Sequence, residues 1–93
     1  MILEIVSPEA SLFKGEVTSI SVPGINGSFQ ILNNHAAIVS LLQKGTVSFT
    51  APNFETNKET SALFTKVSAD NYSLAISAGT LEMKDNKVIV LVD

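Results

Sequence analysis

Along this chain, short runs of aliphatic, β-branched and aromatic residues are cut about every ten positions by Gly, Pro, Asn or Asp. That spacing predicts an all-β sandwich or barrel. Ile2 to Val6 reads as a first strand, ended by Ser7 and by Pro8, whose ring removes a ladder donor. Val17 to Val22 alternates, with Thr18, Ile20 and Val22 on one face and Val17, Ser19 and Ser21 on the other. Pro23-Gly24-Ile25-Asn26-Gly27 makes a turn in which the glycines are expected to supply positive φ. Ser28 to Leu32 is the next strand, broken by Asn33-Asn34-His35. Ala36 to Leu42 is either a short strand or a helical turn, a choice periodicity leaves open over seven residues.

Gly45 ends that run. Thr46 to Ala51 and Ala62 to Ser68 flank Pro52 to Glu59, a polar connection predicted to be an exposed hairpin loop or a frayed edge. Tyr72 to Ser77 follows a turn at Asp70-Asn71. Leu81 to Met83 and Val88 to Val92 pair across Lys84-Asp85-Asn86-Lys87, because Asp and Asn tolerate the left-handed backbone a tight hairpin needs. The last strand is apolar on both faces, so it is either central and covered twice or has one face meant for something outside the chain. Two such faces on a small domain favour two packed sheets, and the fold expected is a two-sheet antiparallel β-sandwich of about eight to ten short strands.

Length and composition narrow the possibilities. Ninety-three residues make one domain, 1–93, able to bury about 60–65% of the surface its unfolded chain exposes. There is no cysteine, so packing or partners must supply stability, as suits a reducing compartment. MILEIVSPEA lacks the features of a secretory signal. The apolar run Ala36 to Leu42 is far shorter than the roughly 20 residues of a spanning helix. The expectation is a cytosolic domain that crosses no membrane.

Six basic and nine acidic residues give a formal net charge of −3, with lysines scattered at positions 14, 44, 58, 66, 84 and 87. Nucleic acid is excluded as a natural partner, since phosphate neutralisation needs a concentrated basic face. The charges are more informative where they are missing: from Val17 to Phe54 the only formally charged residue is Lys44. Strand content produces some of this depletion, and a docking surface, whose core is also poor in charge, produces the same pattern.

Catalytic chemistry finds little footing. One histidine and no cysteine leave a zinc site to be built from carboxylates. A serine nucleophile would depend on His35, with no G-x-S-x-G and no acid placed to orient the ring. Neither phosphate-cradling glycine motif occurs. Glu55 with Glu59 and Glu82 with Asp85 are close in sequence, but beside lysines and turn residues they read as solvated faces. Asn26-Gly27-Ser28 and Asn71-Tyr72-Ser73 match the glycosylation pattern, which without a secretory signal is coincidental. No catalytic residue, cofactor, metal or small-molecule substrate is expected.

The uncharged middle has a definite pattern: Pro23-Gly24, Gly27, Phe29, Leu32, His35-Ala36, Leu41 and Gly45. Read as PG-x-x-G-x-F-x-x-L-x-x-HA, an apolar run and Gly, it resembles the epsilon subunit of F-type ATP synthases. LEIVSPEASLFKGEV is similar to that family's first strand and Phe-x-Gly turn, SAGTLEM to its Gly-Gly-x-Leu-Glu-Val segment, and NKVIVLVD to its last sandwich strand. The four stretches occur in order along the whole chain.

The resemblance implies a non-catalytic central-stalk subunit of a proton- or sodium-driven bacterial enzyme, peripheral on the cytoplasmic face of the plasma membrane, coupling gamma to the ring of c subunits. Carried over position by position, Ser7 and His35 match positions that face gamma, and Ser40 and Thr46, on either side of Gly45, are expected as their neighbours on that face. Ile25, Asn26, Gly27 and Ser28 are expected to meet the c-ring; the family often has an acid where this chain has Ser28. Asn34, Ala37 and Ala78 stand where the family usually has Gly, Pro and Gly. The family usually continues past the position of Asp93 into a two-helix hairpin that binds ATP or restrains hydrolysis, so neither activity is expected here. A free-standing ligand-binding sandwich and a small hydrolase are the competing readings. The first would need a concave aromatic patch, and the chain has one Tyr, no Trp and five Phe.

Overall fold

Alternation with period two places one set of side chains from each strand inward, and in this protein nearly every strand is built that way. The structure is a computed structural model that describes residues 1–56 and 58–93, without the side chains of residues 58 and 59. Its strands are β1 (Ile2–Val6), β2 (Ser11–Glu16), β3 (Ser19–Gly24), β4 (Gly27–Leu32), β5 (Ile38–Leu42) and β6 (Gly45–Thr50). A four-residue helical turn, α1 (Lys58–Ser61), precedes β7 (Phe64–Ser68), β8 (Asn71–Ile76), β9 (Gly79–Lys84) and β10 (Lys87–Val92).

The strands form one hydrogen-bonded path, β2-β1-β10-β9-β5-β3-β6-β8-β7, with β4 on the other edge of β3. Leu3, Ile5, Val88, Val90, Leu81 and Met83 from the first half of that path face Ile20, Val22, Val47, Phe49, Leu74 and Ile31 from the second, in one buried cluster. The path therefore folds over into two layers, β2-β1-β10-β9-β5 and β7-β8-β6-β3-β4. Fully burying each of these apolar side chains is worth about 1.5–3 kcal/mol.

The layers meet at β3. Its first half pairs with β6 (Ser19↔Thr50, Ser21↔Ser48), and its end pairs with β5 (Gly24↔Leu42). Pro23 stands where the partner changes; it has no N–H to give, and its carbonyl accepts from Gln43 N (2.9 Å). A Cβ on Gly45 would lie 2.7 Å from the Pro23 Cβ, so only glycine allows β6 to start this close to the corner.

Several expectations change. Ser11 to Glu16 is a strand, hidden in the sequence because the β1–β2 register shifts between Ile5 and Val6. That bulge turns Leu12 and Phe13 inward together. The β1–β10 pair is parallel, and every other pair is antiparallel. Of the turn glycines only Gly27 has positive φ (119°); a Cβ on Gly24 would instead fall 2.8 Å from the Gly27 carbonyl oxygen. Val17, read as pointing away from Ile20, is buried beside the first strand, with its N–H donating to the Met1 carbonyl (2.9 Å). Ala36 to Leu42 resolves as strand from Ile38. The tight turn between β9 and β10 has Asp85 at φ 52° and Asn86 at φ 60°, the paired left-handed residues of a two-residue hairpin.

Where it is described, the connection 52–59 is exposed at Pro52, Asn53 and Glu55 and anchored by two residues. Phe54 stacks on Tyr72 (centroids 3.9 Å, 15° between planes) and on Phe13 (5.4 Å), and the Thr56 hydroxyl donates to the Leu12 carbonyl (3.1 Å). Asn57 and the side chain of Glu59 lie outside the described residues. With Phe49 and Phe64 these rings fill the opening between the edge strands β2 and β7. Phe49 touches all four of the other rings. Replacing Phe49 with Ala should lower stability by about 3–5 kcal/mol, measured by urea denaturation; a loss below about 1 kcal/mol would show that the cluster does not hold the opening shut.

Candidate functional site: an uncharged side with apolar residues exposed

Strands β3, β4 and β5 and their turns carry no charged residue from Pro23 through Gln43. They form one side of the sandwich, opposite the aromatic closure. Four large apolar residues stand exposed there: Ile25 in the β3–β4 turn, Leu32 at the end of β4, and Val39 and Leu41 on β5, with Val39 75% exposed. A lone exposed Leu is ordinary, but four on an uncharged surface mark a place for a partner.

Register extends this surface across the outer face of the first layer. Leu41 lies opposite Thr80, Thr80 opposite Leu91, and Leu91 opposite Val6, so one cross-strand row runs β5-β9-β10-β1. The next row is Val39, Glu82, Ile89 and Glu4. Strand β10, apolar on both faces, is thus central in its sheet and still carries an uncovered outer face, with Leu91 half exposed.

A polar clasp fixes the turn that enters β5. Asn86 Nδ2 donates to Asn33 Oδ1 (3.0 Å), the Met1 amino group donates to the same oxygen (3.1 Å), and the Asn34 N–H donates to Asn86 Oδ1 (2.8 Å). The clasp ties the β4–β5 turn to the β9–β10 turn and to the start of β1. Asn34 holds φ 63°. His35 follows, its N–H donating to the Leu32 carbonyl (3.1 Å) and its Nδ1 lying 2.8 Å from the Ala36 carbonyl oxygen.

The structure brings Ile25, Asn26, Gly27, Ser28, His35 and Ser40 to this one side. His35 is at the end bearing the clasp, and the turn at Ile25 and Asn26 is at the other end, where the Ile25 N–H donates to the Leu41 carbonyl (3.1 Å). Ser40 lies on the inner pleat between Val39 and Leu41, half-buried and opposite Leu81. Ser7 is elsewhere, in the β1–β2 turn three strands from β5, where its N–H donates to the Ala10 carbonyl (2.8 Å). Thr46 is on the outer face of the second layer opposite Ala75. Ser40 and Thr46 are not neighbours on one face, because the Gln43-Lys44 turn carries the chain from one layer to the other.

The apolar rows were missed by sequence reasoning. The signal available for β5 was a run apolar on both pleats, Ile38-Val39-Ser40-Leu41-Leu42, the same signal read for β10. One surface depression, of about 420 Å³, is lined by Ser7, Leu12, Leu63, Leu74, Ile76 and Val92 among others, with Asp93 as its one ionisable side chain. Among the described residues no three His, Asp or Glu side chains come together as metal ligands, and no helix is long and apolar enough to cross a membrane.

Comparison with known proteins gives a consistent picture. The family profile for the β-sandwich domain of the ATP synthase delta/epsilon chain matches residues 1–65. The ATP synthase epsilon chain of Dehalococcoides mccartyi is 34% identical over 91 residues, covering 98% of this chain and 54% of that protein. The epsilon chain of Campylobacter fetus is 35% identical over 91 residues, covering 98% and 59%. The chain thus spans little more than half the length of these curated relatives. A chain of the Euglena gracilis mitochondrial ATP synthase (OSCP/F1/c-ring) shares the fold with a TM-score of 0.72 at 18% identity, covering 99% of this chain and 49% of that one. A chain in the central stalk and c-ring structure of the Tetrahymena thermophila mitochondrial enzyme does so with a TM-score of 0.67 at 16% identity, covering 99% and 62%.

The clasp generates a prediction. Asn86→Ala removes two hydrogen bonds and puts a side chain that gains nothing at φ 60°, and should cost about 1–3 kcal/mol with faster amide exchange in the turn 33–37. Asn86→Gly, which relieves the backbone, should recover part of the stability and none of the exchange protection. Unchanged melting and exchange in both variants would show that the clasp does not organise the His35 turn.

Proposed function

The chain belongs to the ATP synthase delta/epsilon-chain family as its β-sandwich domain, and we propose on that footing that it is a non-catalytic central-stalk subunit coupling gamma to the c-ring. Residues 1–93 act as one coupling domain with no active site of their own. The enzyme served is a proton- or sodium-driven bacterial ATP synthase, with this subunit peripheral on the cytoplasmic face of the membrane.

The observation that carries the reading is the uncharged side of β3, β4 and β5 with its exposed Val39 and Leu41. Desolvating β3, β4 and β5 against gamma costs little, since from Pro23 to Gln43 they have no charge to strip of water; the charge beside them is Glu82, opposite Val39 on β9. His35, on the turn leading into β5, belongs to the same contact, and Ser40, on the inner pleat of β5, would meet gamma only at its margin. The turn Ile25-Asn26-Gly27-Ser28 sits at the far end of that side and is the part offered to the polar loops of the c-ring. Ser7 and Thr46 would extend the gamma contact around the body from two other elements.

Transmitting rotation needs a body that does not shear. Two layers sharing one closely packed core, with one side knitted at β3 and the other filled by rings, meet that need in 32 × 25 × 22 Å.

Tagged chain should recover gamma and c subunits from gently solubilised membranes, and recovery of neither would refute the coupling role. Val39→Glu with Leu41→Glu should weaken gamma binding at least about tenfold, since two carboxylates would be buried without partners. Both positions are exposed, so circular dichroism and melting should stay unchanged. His35→Glu should act in the same direction. Undiminished binding by the double variant would move the gamma contact off this face.

A further inference from the structure

Strands at the border of a sheet carry unpaired N–H and C=O groups, and proteins guard them with charge, proline or bulges. Two edges of this sandwich are guarded in that way. Strand β2 carries Lys14 and Glu16, and its pairing with β1 is bulged at Leu12. Strand β7 carries Lys66, and its register with β8 skips Val67.

The third edge has no guard. Strand β4, Gly27-Ser28-Phe29-Gln30-Ile31-Leu32, pairs in unbroken register with β3 along six residues and, among the described residues, with no strand on its other side. It has no charge, no proline and no bulge. The neighbouring edge of β5 is partly taken at its end, where Leu42 pairs with Gly24, the Leu41 carbonyl accepts from Ile25 and the Gln43 N–H donates to Pro23. Only β4 offers a full strand length.

We infer that β4 is a strand-addition site, at which gamma contributes an extended segment that continues the second layer. This rests on the proposed coupling role and specifies how that contact is made. The incoming strand is roughly five to six residues long and uncharged where it lies against β4. The chain from Val17 through Gln43 has no charge to answer one, and a charge desolvated there would stay unpaired. Its inward side chains continue the apolar layer of Phe29 and Ile31, and its outward ones lie beside Ser28, Gln30 and Leu32. The turn that leads into β4 meets β5 at the corner, where the Ile25 N–H donates to the Leu41 carbonyl, so a larger body docked over that corner can also supply the strand. A second copy of this chain is the poorer occupant, because it adds another net charge of −3.

Strand addition has a signature that docking against a face lacks. In β4, alternate amides already bond to β3 and the others point outward. The test is residue-resolved amide exchange of the chain alone and with purified gamma. Addition of gamma should slow exchange at every second residue of Gly27–Leu32 by at least about tenfold. Gln30→Lys should weaken gamma binding by at least about tenfold with an unchanged melting curve, whereas Gln30→Thr should bind as the parent does. Binding of gamma with β4 exchange unchanged would overturn strand addition and leave the coupling role standing. Failure to bind gamma at all would overturn both. Alternate protection that appears in the chain alone, with a dimer in sedimentation, would overturn the inference by making the occupant a second copy.

Discussion

Strand β3 has three partners, and the form of the whole protein follows from how it divides its hydrogen bonds. One edge belongs entirely to β4. The other serves β6 as far as Ser21 and then β5 at Gly24. Between them stands Pro23, the one residue that can sit at a change of partner without leaving an N–H unpaired. Gly45 packs against its ring where any larger residue would collide. A ten-stranded path with this corner cannot stay open. It folds over, and the alternation of each strand then aims Ile20, Val22, Val47 and Phe49 at Leu3, Ile5, Leu81 and Val90.

Closing at one side leaves the other to be sealed by different means. Among the described residues no strand joins the layers between β2 and β7, and five aromatic rings fill the gap, with Phe54 supplied by the connection before α1. The charged residues and bulges of the edge strands are found there as well. Strands β3, β4 and β5 on the corner side, by contrast, have neither charge nor bulge, and β5 shows Val39 and Leu41 to solvent. The two sides of one small body are thus built differently, and on the proposed function one ends the structure while the other continues it into a partner. A coupling subunit needs that asymmetry, because slip is prevented only when the partner contact is as well packed as the core.

Much of the fold was legible because alternation is a local property. Strand β1, the β9–β10 hairpin with its Asp85-Asn86 turn, and the break at Asn33-Asn34-His35 could be read directly. Strand β2 could not, since the bulge at Leu12 breaks the period that would have revealed it. The role of Gly24 was misread because its constraint is the approach of the Gly27 carbonyl and not its own φ. Phe54 looked like a loop residue among polar neighbours, and its partners Tyr72 and Phe13 are distant in sequence. The candidate site divided in the same manner. Ile25 to Ser28, His35 and Ser40 fall together because they are contiguous with β4 and β5. The row Leu41, Thr80, Leu91 and Val6 joins four strands, and only their register, including the parallel β1–β10 pair, places them in line.

On the proposed function, the uncharged side of β3, β4 and β5 is the surface given to gamma. Its most direct measurement is a structure, by electron cryomicroscopy, of the ATP synthase that contains this chain. The account predicts gamma lying over Val39, Leu41 and the edge of β4, with the Ile25–Ser28 turn toward the c-ring. A map in which that side faces solvent, while gamma covers the hydroxyl-rich outer face of Ser21, Ser48 and Ser73, would contradict it.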